Sequence, residues 1–511
     1  PGTTLGEGAG FVVLEPEDHA RHRGKKPHAI LSGCGLSADA YHETSPDPSG
    51  SGLARALGAA LSDAGLPPEA IGYINAHGSG TAANDQAEWR AVRSVLGDRA
   101  EQVPLSSTKS IIGHAQGAAG VLETIVTVLG MQHGLVPQTL HFTDPRPFCP
   151  ADPVAADRPR PHRFTHAVNL SAGFGGSNAA LVISAPEALP SAVPKRSRRQ
   201  LSLIGLGAVD AFGTELDVLA EIVRGDAEIS GETADPPLEQ LIPTADTRGL
   251  DPASRYLAAA AALALADGGV TLRGDLRERA GISSGSNRVS PSSKARFQRS
   301  LDTGGLARLS ANGFARIVLN FPVSTAAKLL SLRGPAIALS SGSGSGLVSI
   351  VLAAQRLAIP GPTSLMIAGG VDEGESGSTK QLSGAACVLL SAVEPADRFR
   401  EATPISLAGW SLAGPGGLQL AVKRALAMAE IEGQSLDRVY TDLERHPIAT
   451  SLQITSRIRF ADRSPDDAAH PSVLACAAAV LALRRGEIDS ALVLSGAERS
   501  TGCAIVLVAR R

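Results

Sequence analysis

A chain of 511 residues with a formal net charge of −3, 43% hydrophobic and 19% charged residues, has the balance of a soluble globular protein of about two to four domains. The charge argues against nucleic acid as the main partner, because phosphate binding is driven by Lys and Arg. The longest apolar runs, 256–266 and 473–483, are too short to span a bilayer. Five scattered cysteines without a CxxC pair suggest reduced thiols in a cytoplasmic protein, with no metal site.

The chain opens on "PGTTLGEGAG", inside what reads as an element and without a Met, so further chain is expected before Pro1. Strand and helix signals then alternate, the pattern of an α/β protein with a buried sheet. Strands are expected over 10–15 ("GFVVLE"), 70–77, 179–184, 201–207, 364–370, 387–393 and 503–509, and helices over 52–65 and 118–134. Aromatic residues are only 3%, so the cores must rely on closely packed Ala, Val, Leu and Ile. The basic run "KRSRR" (195–199) reads as a solvated linker.

The chain repeats itself. "AAGVLETIVTVLGMQHG" (118–134) is answered by "HPSVLACAAAVLALRRG" (470–486), "GEGAGFVVLE" (6–15) by "QLSGAACVLLS" (381–391), and "SNAALVIS" (177–184) by "TGCAIVLVA" (501–509). Residues 201–370 have no counterpart in the first copy. The expected organisation is a half-domain over 1–186, a linker over 187–200 and a complete, shortened domain over 201–511.

Three motifs carry chemistry. In "NAHGSGTAANDQAE" (75–88) a strand delivers His77 to its C-terminal end, where sites of open α/β sheets lie. Gly78 and Gly80 permit a tight turn, and Thr81, Asn84 and Asp85 can cap the following helix. In "SSTKSIIGHAQGAAG" (106–120) Lys109 sits five residues before His114, and its charge disfavours protonation of the imidazole. In "AGFGGSN" (172–178) glycines flank Phe174, a large side chain on a flexible loop that suits a gate. Each motif alone is equally readable as an ordinary junction, a structural His or a turn.

In that order and spacing the three motifs, with "LGEGAGFVVLE" and the Thr81, Asn84, Asp85 and Glu88 set, resemble the C-terminal half of β-ketoacyl synthases of the thiolase-like superfamily. The resemblance covers 1–186. It implies a layered α-β-α-β-α fold, present as one half-domain plus one complete shortened copy. It gives His77, His114 and Lys109 catalytic roles, with Lys109 keeping His114 in its useful state. Phe174, Gly175, Gly176 and Thr81 become gating or substrate-binding residues, supported by Asp85 and Glu88.

The stretch 330–373 resembles the same family's nucleophile elbow. The family's cysteine position falls on Ser343, within "ALSSGSGSGLVSI" (338–350). A serine there needs an activating base, and none is evident. A hydrolase elbow, G-x-S-x-G, fails because Gly344 stands at its third position. The positions matching His77 and His114 fall near Leu443 and Asp466, and His446 and His470 are out of register. The glycine loop becomes "GAERSTG" (496–502). Residues 201–511 therefore read as a degenerate synthase, and the pair resembles a ketosynthase fused to a chain-length factor.

The activity implied is decarboxylative Claisen condensation of malonyl units on an acyl carrier protein, in polyketide or polyene synthesis, without a cofactor. The nucleophilic cysteine would lie in a front half missing from this chain, which alone should be inactive. Fatty-acid synthesis, a thiolase-like acyltransferase and a non-catalytic scaffold are the competing readings. "RHRGKK" (21–26) is a candidate patch for an acidic carrier, set against a plain solvated helix end.

Overall fold

The computed structural model describes residues 2–188, 197–224, 229, 231–306, 309, 311–374, 382–392, 405–432, 435–442, 456–457, 468–496 and 501–509. Leu443, His446, Asp466 and the loop residues 497–500 lie outside them. The chain forms two compact units, Pro1–Lys195 and Arg196–Arg511.

Unit 1 holds β1 (Ile30–Ala38), α1 (Ser51–Ala64), β2 (Tyr73–Asn75), α2 (Ala82–Leu96), β3 (Leu105–Ser106), α3 (Ala119–His133), β4 (His166–Gly173) and β5 (Ser177–Ser184). The sheet order is β1-β5-β4-β2-β3. β5 runs antiparallel to β1 and β4, while β4, β2 and β3 run parallel, with Ile74 beside Val168 on one side and Leu105 on the other.

Unit 2 contains that arrangement twice. Its elements are β6 (Ser202–Val209), α4 (Pro252–Asp267), β7 (Ala280–Gly285), β8 (Ala336–Leu339), α5 (Ser345–Ala358), β9 (Leu365–Asp372), β10 (Gly384–Ser391), β11 (Ile405–Pro415), α6 (Leu418–Ala429), β12 (Arg438–Thr441), β13 (Ser456–Arg457), α7 (His470–Arg484), β14 (Ser490–Ser495) and β15 (Thr501–Ala509). The ten strands run β8-β7-β9-β10-β6-β11-β15-β14-β12-β13. The two halves meet edge to edge at Ile405 and Ser406, opposite Leu203 and Ser202. Within each half the parallel and antiparallel pairings follow unit 1 strand for strand. Helix α4 covers the first half and α6 the second, and α5 and α7 pack between them. These are the five layers of a thiolase-like fold, α-β-α-β-α.

The layers approach closely because glycines on the first strand of each half lie under helical alanines. A Cβ on Gly35 would sit 1.9 Å from the Ala56 carbonyl oxygen, on Gly207 2.1 Å from that of Ala260, and on Gly409 2.1 Å from that of Ala425. An Ala- and Gly-rich, aromatic-poor sequence is what such packing requires.

The expected strand over 10–15 is not formed. Its counterpart β10 lies between β9 and β6, and the described part of unit 1 offers residues 10–15 no such flanking strands. The segment instead runs extended, with Gly10 against Val121 and Ile125 of α3, and Phe11 and Val13 are 94% and 91% exposed. The related helices α3 and α7 differ in the same sense. Helix α7 is buried along nearly its whole length, whereas Val121, Leu122, Ile125 and Leu129 of α3 are partly or largely exposed within unit 1.

Two glycine substitutions separate close packing from backbone freedom. Gly35→Ala drives a methyl into the α1 backbone and destabilises unit 1 by about 1–3 kcal/mol. Gly58→Ala, inside α1 with open space around it, stabilises by about 0.4–1 kcal/mol. Opposite shifts of the urea midpoint are the expected outcome.

Candidate active site

The parallel strands β2 and β3 end side by side, and the turns after them carry the site. Residue 77 follows β2, and its turn is held by Glu88 of α2, whose carboxylate accepts the backbone N–H groups of His77 (2.7 Å) and Gly78 (2.8 Å). Thr81 caps α2 by accepting the Asn84 N–H, and Asp85 accepts the Gly80 N–H and pairs with Arg146 at 2.7 Å. Gly78 adopts φ 42°, and a Cβ there would meet the Ser107 side chain at 2.5 Å. Burial pushes the Glu88 carboxyl up to about 7, against the two backbone donors that lower it.

After β3, Lys109 turns inward and is buried. Its ammonium donates to the His77 carbonyl oxygen (2.6 Å), to His77 Nδ1 (3.4 Å) and to Glu123 on α3. Lysine only donates, so His77 Nδ1 is the acceptor and the ring proton is on Nε2. Burial, and then the Lys109 and His114 charges, push the His77 pKa down to about 3. The imidazole is neutral at pH 7.

His114 lies in the loop before α3, its backbone paired with Thr4 and Gly6 (2.8 and 3.1 Å). Its Nδ1 accepts the Gln116 N–H at 3.1 Å, so it too presents Nε2–H. Burial, and then Lys109, lower its pKa. The two rings are edge to face with centroids 5.5 Å apart. Two neutral imidazoles, each with Nδ1 committed as an acceptor and its N–H on Nε2, suit an oxygen on which negative charge develops. A cavity of about 940 Å³ opens beside His114, lined also by Lys109, Glu88, Gly78, Ser107 and Thr139, with His77 not among its lining residues.

His77, Lys109, His114, Thr81, Asp85 and Glu88 thus come together. The Lys109 charge disfavours protonation of His114 as expected, while its hydrogen bonds go to His77 and Glu123 and not to His114. Phe174, Gly175 and Gly176 form a separate loop that does not line the cavity, with Phe174 42% exposed. That loop is tied to residues 39–43, where Asp39 N–H donates to the Gly176 carbonyl (2.8 Å) and the Asp39 carboxylate accepts from Asn178 (2.7 Å). Glu123 was not anticipated, although it is the single carboxylate of the apolar helix α3. Burial pushes it up to about 7 against the pull of Lys109.

None of the five cysteines combines with this site as a nucleophile. Cys387, Cys476 and Cys503 are buried, and burial raises the first two thiols to about 12. Cys34 lies within β1. Cys149 lines the cavity, but burial and the Asp85 charge raise its pKa.

In unit 2 the elbow is present as a backbone. β8 leads into a turn with Gly342 at φ 78°, and α5 begins at Ser345. Ser345 Oγ donates to the Gly342 carbonyl at 2.6 Å, and Ser343 is buried in the turn. His470, at the start of α7, is fully buried between Asp210 (2.9 Å) and Asp372 (3.9 Å). Burial would lower its pKa, but hydrogen bonds and charge from the two aspartates raise it to about 9. A protonated, paired imidazole is no base for Ser343.

Residues 28–143 match the family model for the β-ketoacyl synthase C-terminal domain, and residues 221–417 match that for the N-terminal domain. The chain belongs to the β-ketoacyl synthases. It is 43% identical over 183 residues to 3-oxoacyl-[acyl-carrier-protein] synthase 2 of Coxiella burnetii, covering 36% of this chain and 44% of that one. It is 46% identical over 180 residues to nodulation protein E of Rhizobium meliloti, covering 35% and 44%. The synthase chain described here thus spans less than half the length of these curated relatives. Among solved structures, the PfaC keto synthase–chain length factor matches 97% of this chain and 63% of its own, with a TM-score of 0.74 and 17% identity, a likeness of fold. Among the described residues, no helix is long and apolar enough to cross a membrane.

His77 and His470 should titrate on opposite sides of 6.5. With its folded pKa depressed to about 3, His77 contributes stability present above about 6.5 that is lost as pH falls toward 3. With its folded pKa raised to about 9, His470 contributes stability present below about 6.5 that is lost as pH rises through 9. Imidazole NMR at pH 7.5 should find His77 neutral and His470 protonated. Glu123→Ala leaves the Lys109 ammonium buried without a counter-charge and should destabilise unit 1 by about 3–5 kcal/mol in urea melts.

Proposed function

We propose that unit 1 is the condensing half-site of a cytoplasmic β-ketoacyl-[acyl carrier protein] synthase, and that unit 2 is its non-catalytic, chain-length-factor-like partner. The supporting observation is the pair of neutral imidazoles, with Nδ1 of each committed and Nε2–H of each available. Malonyl thioester on a carrier protein loses CO₂, and the pair of electrons from the broken C–C bond becomes an enolate. His77 and His114 donate to the enolate oxygen as its charge grows. The enolate carbon then attacks an acyl thioester held on a cysteine, a C–C bond forms, and the cysteine leaves as thiolate.

That cysteine would belong to a front half built like residues 201–370, which have no counterpart in unit 1. Lys109 positions His77 and disfavours its protonation, and the family resemblance assigns Phe174, on a loop outside this cavity, to gating between acylation and condensation. Unit 2 acts on chain length and not on bonds, because its elbow carries Ser343 and its buried imidazole is held by two aspartates. A silent second synthase body favours polyketide or polyene products over fatty acids.

The test uses the protein that joins this chain to a Cys-bearing front half, with malonyl- and acyl-carrier proteins and intact-mass detection of the product. His77→Ala and His114→Ala should each slow condensation by roughly 10²–10³, with Ser343→Ala unchanged. Elongation by this chain alone, or an equal loss from Ser343→Ala, would overturn the assignment.

A further inference from the structure

We infer that unit 2 carries a docking surface for an acidic protein segment, built from Arg199, Arg279 and Arg356 around the turn Gly361-Pro362-Thr363. Three guanidinium groups converge on these three residues. Arg199 donates to the carbonyls of Thr363 (3.1 Å) and Gly361 (3.0 Å), and Arg279 Nε donates to that of Pro362 (3.1 Å). A Cβ on Gly361 would lie 3.9 Å from an Arg356 guanidinium nitrogen. Among the described residues no carboxylate pairs with any of the three, and Arg356 Nε is buried without a hydrogen-bond partner. The neighbouring charges are felt, since burial and then Arg279 and Arg356 lower the pKa of Arg199.

Carbonyl oxygens hold the guanidinium groups in place but, among the described residues, leave three positive charges without a paired carboxylate. Each group keeps N–H donors beyond those it uses, because guanidinium offers five. A planar fork of this kind suits carboxylates, with bidentate geometry. The turn also exposes Ile359, at 43%, with Pro360 and Pro362 beside it. Apolar knobs set among arginines are the chemistry of a protein interface and not of a small-anion pocket.

The other basic run is not equivalent. Arg21 pairs with Glu17 and Arg23 with Glu15, so much of "RHRGKK" is internally neutralised. The run "KRSRR", which reads as a solvated linker in sequence, supplies Arg199 to the cluster and Arg198 exposed beside it.

The probes are an oligo-glutamate peptide and, separately, inorganic phosphate, applied to the full chain at low salt. Phenylglyoxal labelling read by mass spectrometry should show the peptide protecting Arg199, Arg279 and Arg356. Arg279→Glu should weaken peptide binding by about tenfold, whereas Lys25→Glu with Lys26→Glu should leave it unchanged. Labelling of the unaltered chain decides the matter if Arg279→Glu fails to fold. No protection, or equal weakening by the Lys25 and Lys26 changes, overturns the proposal. Protection by phosphate as strong as by the peptide also overturns it, in favour of a small-anion site.

Discussion

The Lys109 ammonium has three protons and, inside unit 1, three acceptors: the His77 carbonyl, His77 Nδ1 and Glu123. A buried ammonium is tolerable only when paired and hydrogen-bonded, so this one arrangement fixes several others. It requires α3 to bring Glu123 inward. It requires the turn after β2 to hold its carbonyl toward Lys109, which Glu88 secures from the other side by accepting the N–H groups of His77 and Gly78. It also decides the tautomer of His77, because only an Nδ1 lone pair can meet an ammonium. The nitrogen that carries the His77 ring proton is therefore set by Lys109.

That cluster can assemble because the layers are close. Strand glycines under helical alanines recur at β1 and α1, β6 and α4, and β11 and α6, so one packing device builds three half-domains. The composition follows from the device. Bulky side chains would hold strand and helix apart, and the scarcity of aromatic residues reflects cores filled by small ones.

Much of this was legible in the sequence. The α/β alternation, the helices at 52–65 and 118–134, their echo at 470–486 and the elbow all appear as local patterns of period, glycine and cap. His77, Lys109 and His114 stand out because they are polar residues at the ends of apolar elements. What was not legible depends on neighbours far along the chain. Residues 10–15 have a strand's composition but no flanking strands to pair with. The preference of Lys109 for His77 over His114 depends on how two parallel strands end side by side. Glu123 left a signal, a single carboxylate in an apolar helix, but its meaning required a partner fourteen residues away to point at it.

His114 precedes α3 and His470 begins α7, and the contrast between these two related helices shows how environment assigns a role. His114 borders a cavity, accepts one backbone N–H, and is lowered in pKa by burial and a lysine. His470 is sealed between carboxylates at the ends of β6 and β9, and is raised in pKa by them. The first has its Nδ1 taken by a backbone N–H, which leaves the ring proton on Nε2. The second has its charge already matched, and binds three elements of unit 2 together. Asp372 extends that tie by accepting the backbone N–H groups of Asn287 and Arg288 (2.8 and 2.7 Å) and of Ala469. The elbow of the same unit keeps its glycine turn at Gly342 and its buried Ser343. Related strands and helices thus carry a neutral imidazole beside a cavity in unit 1 and a charge-matched one inside unit 2.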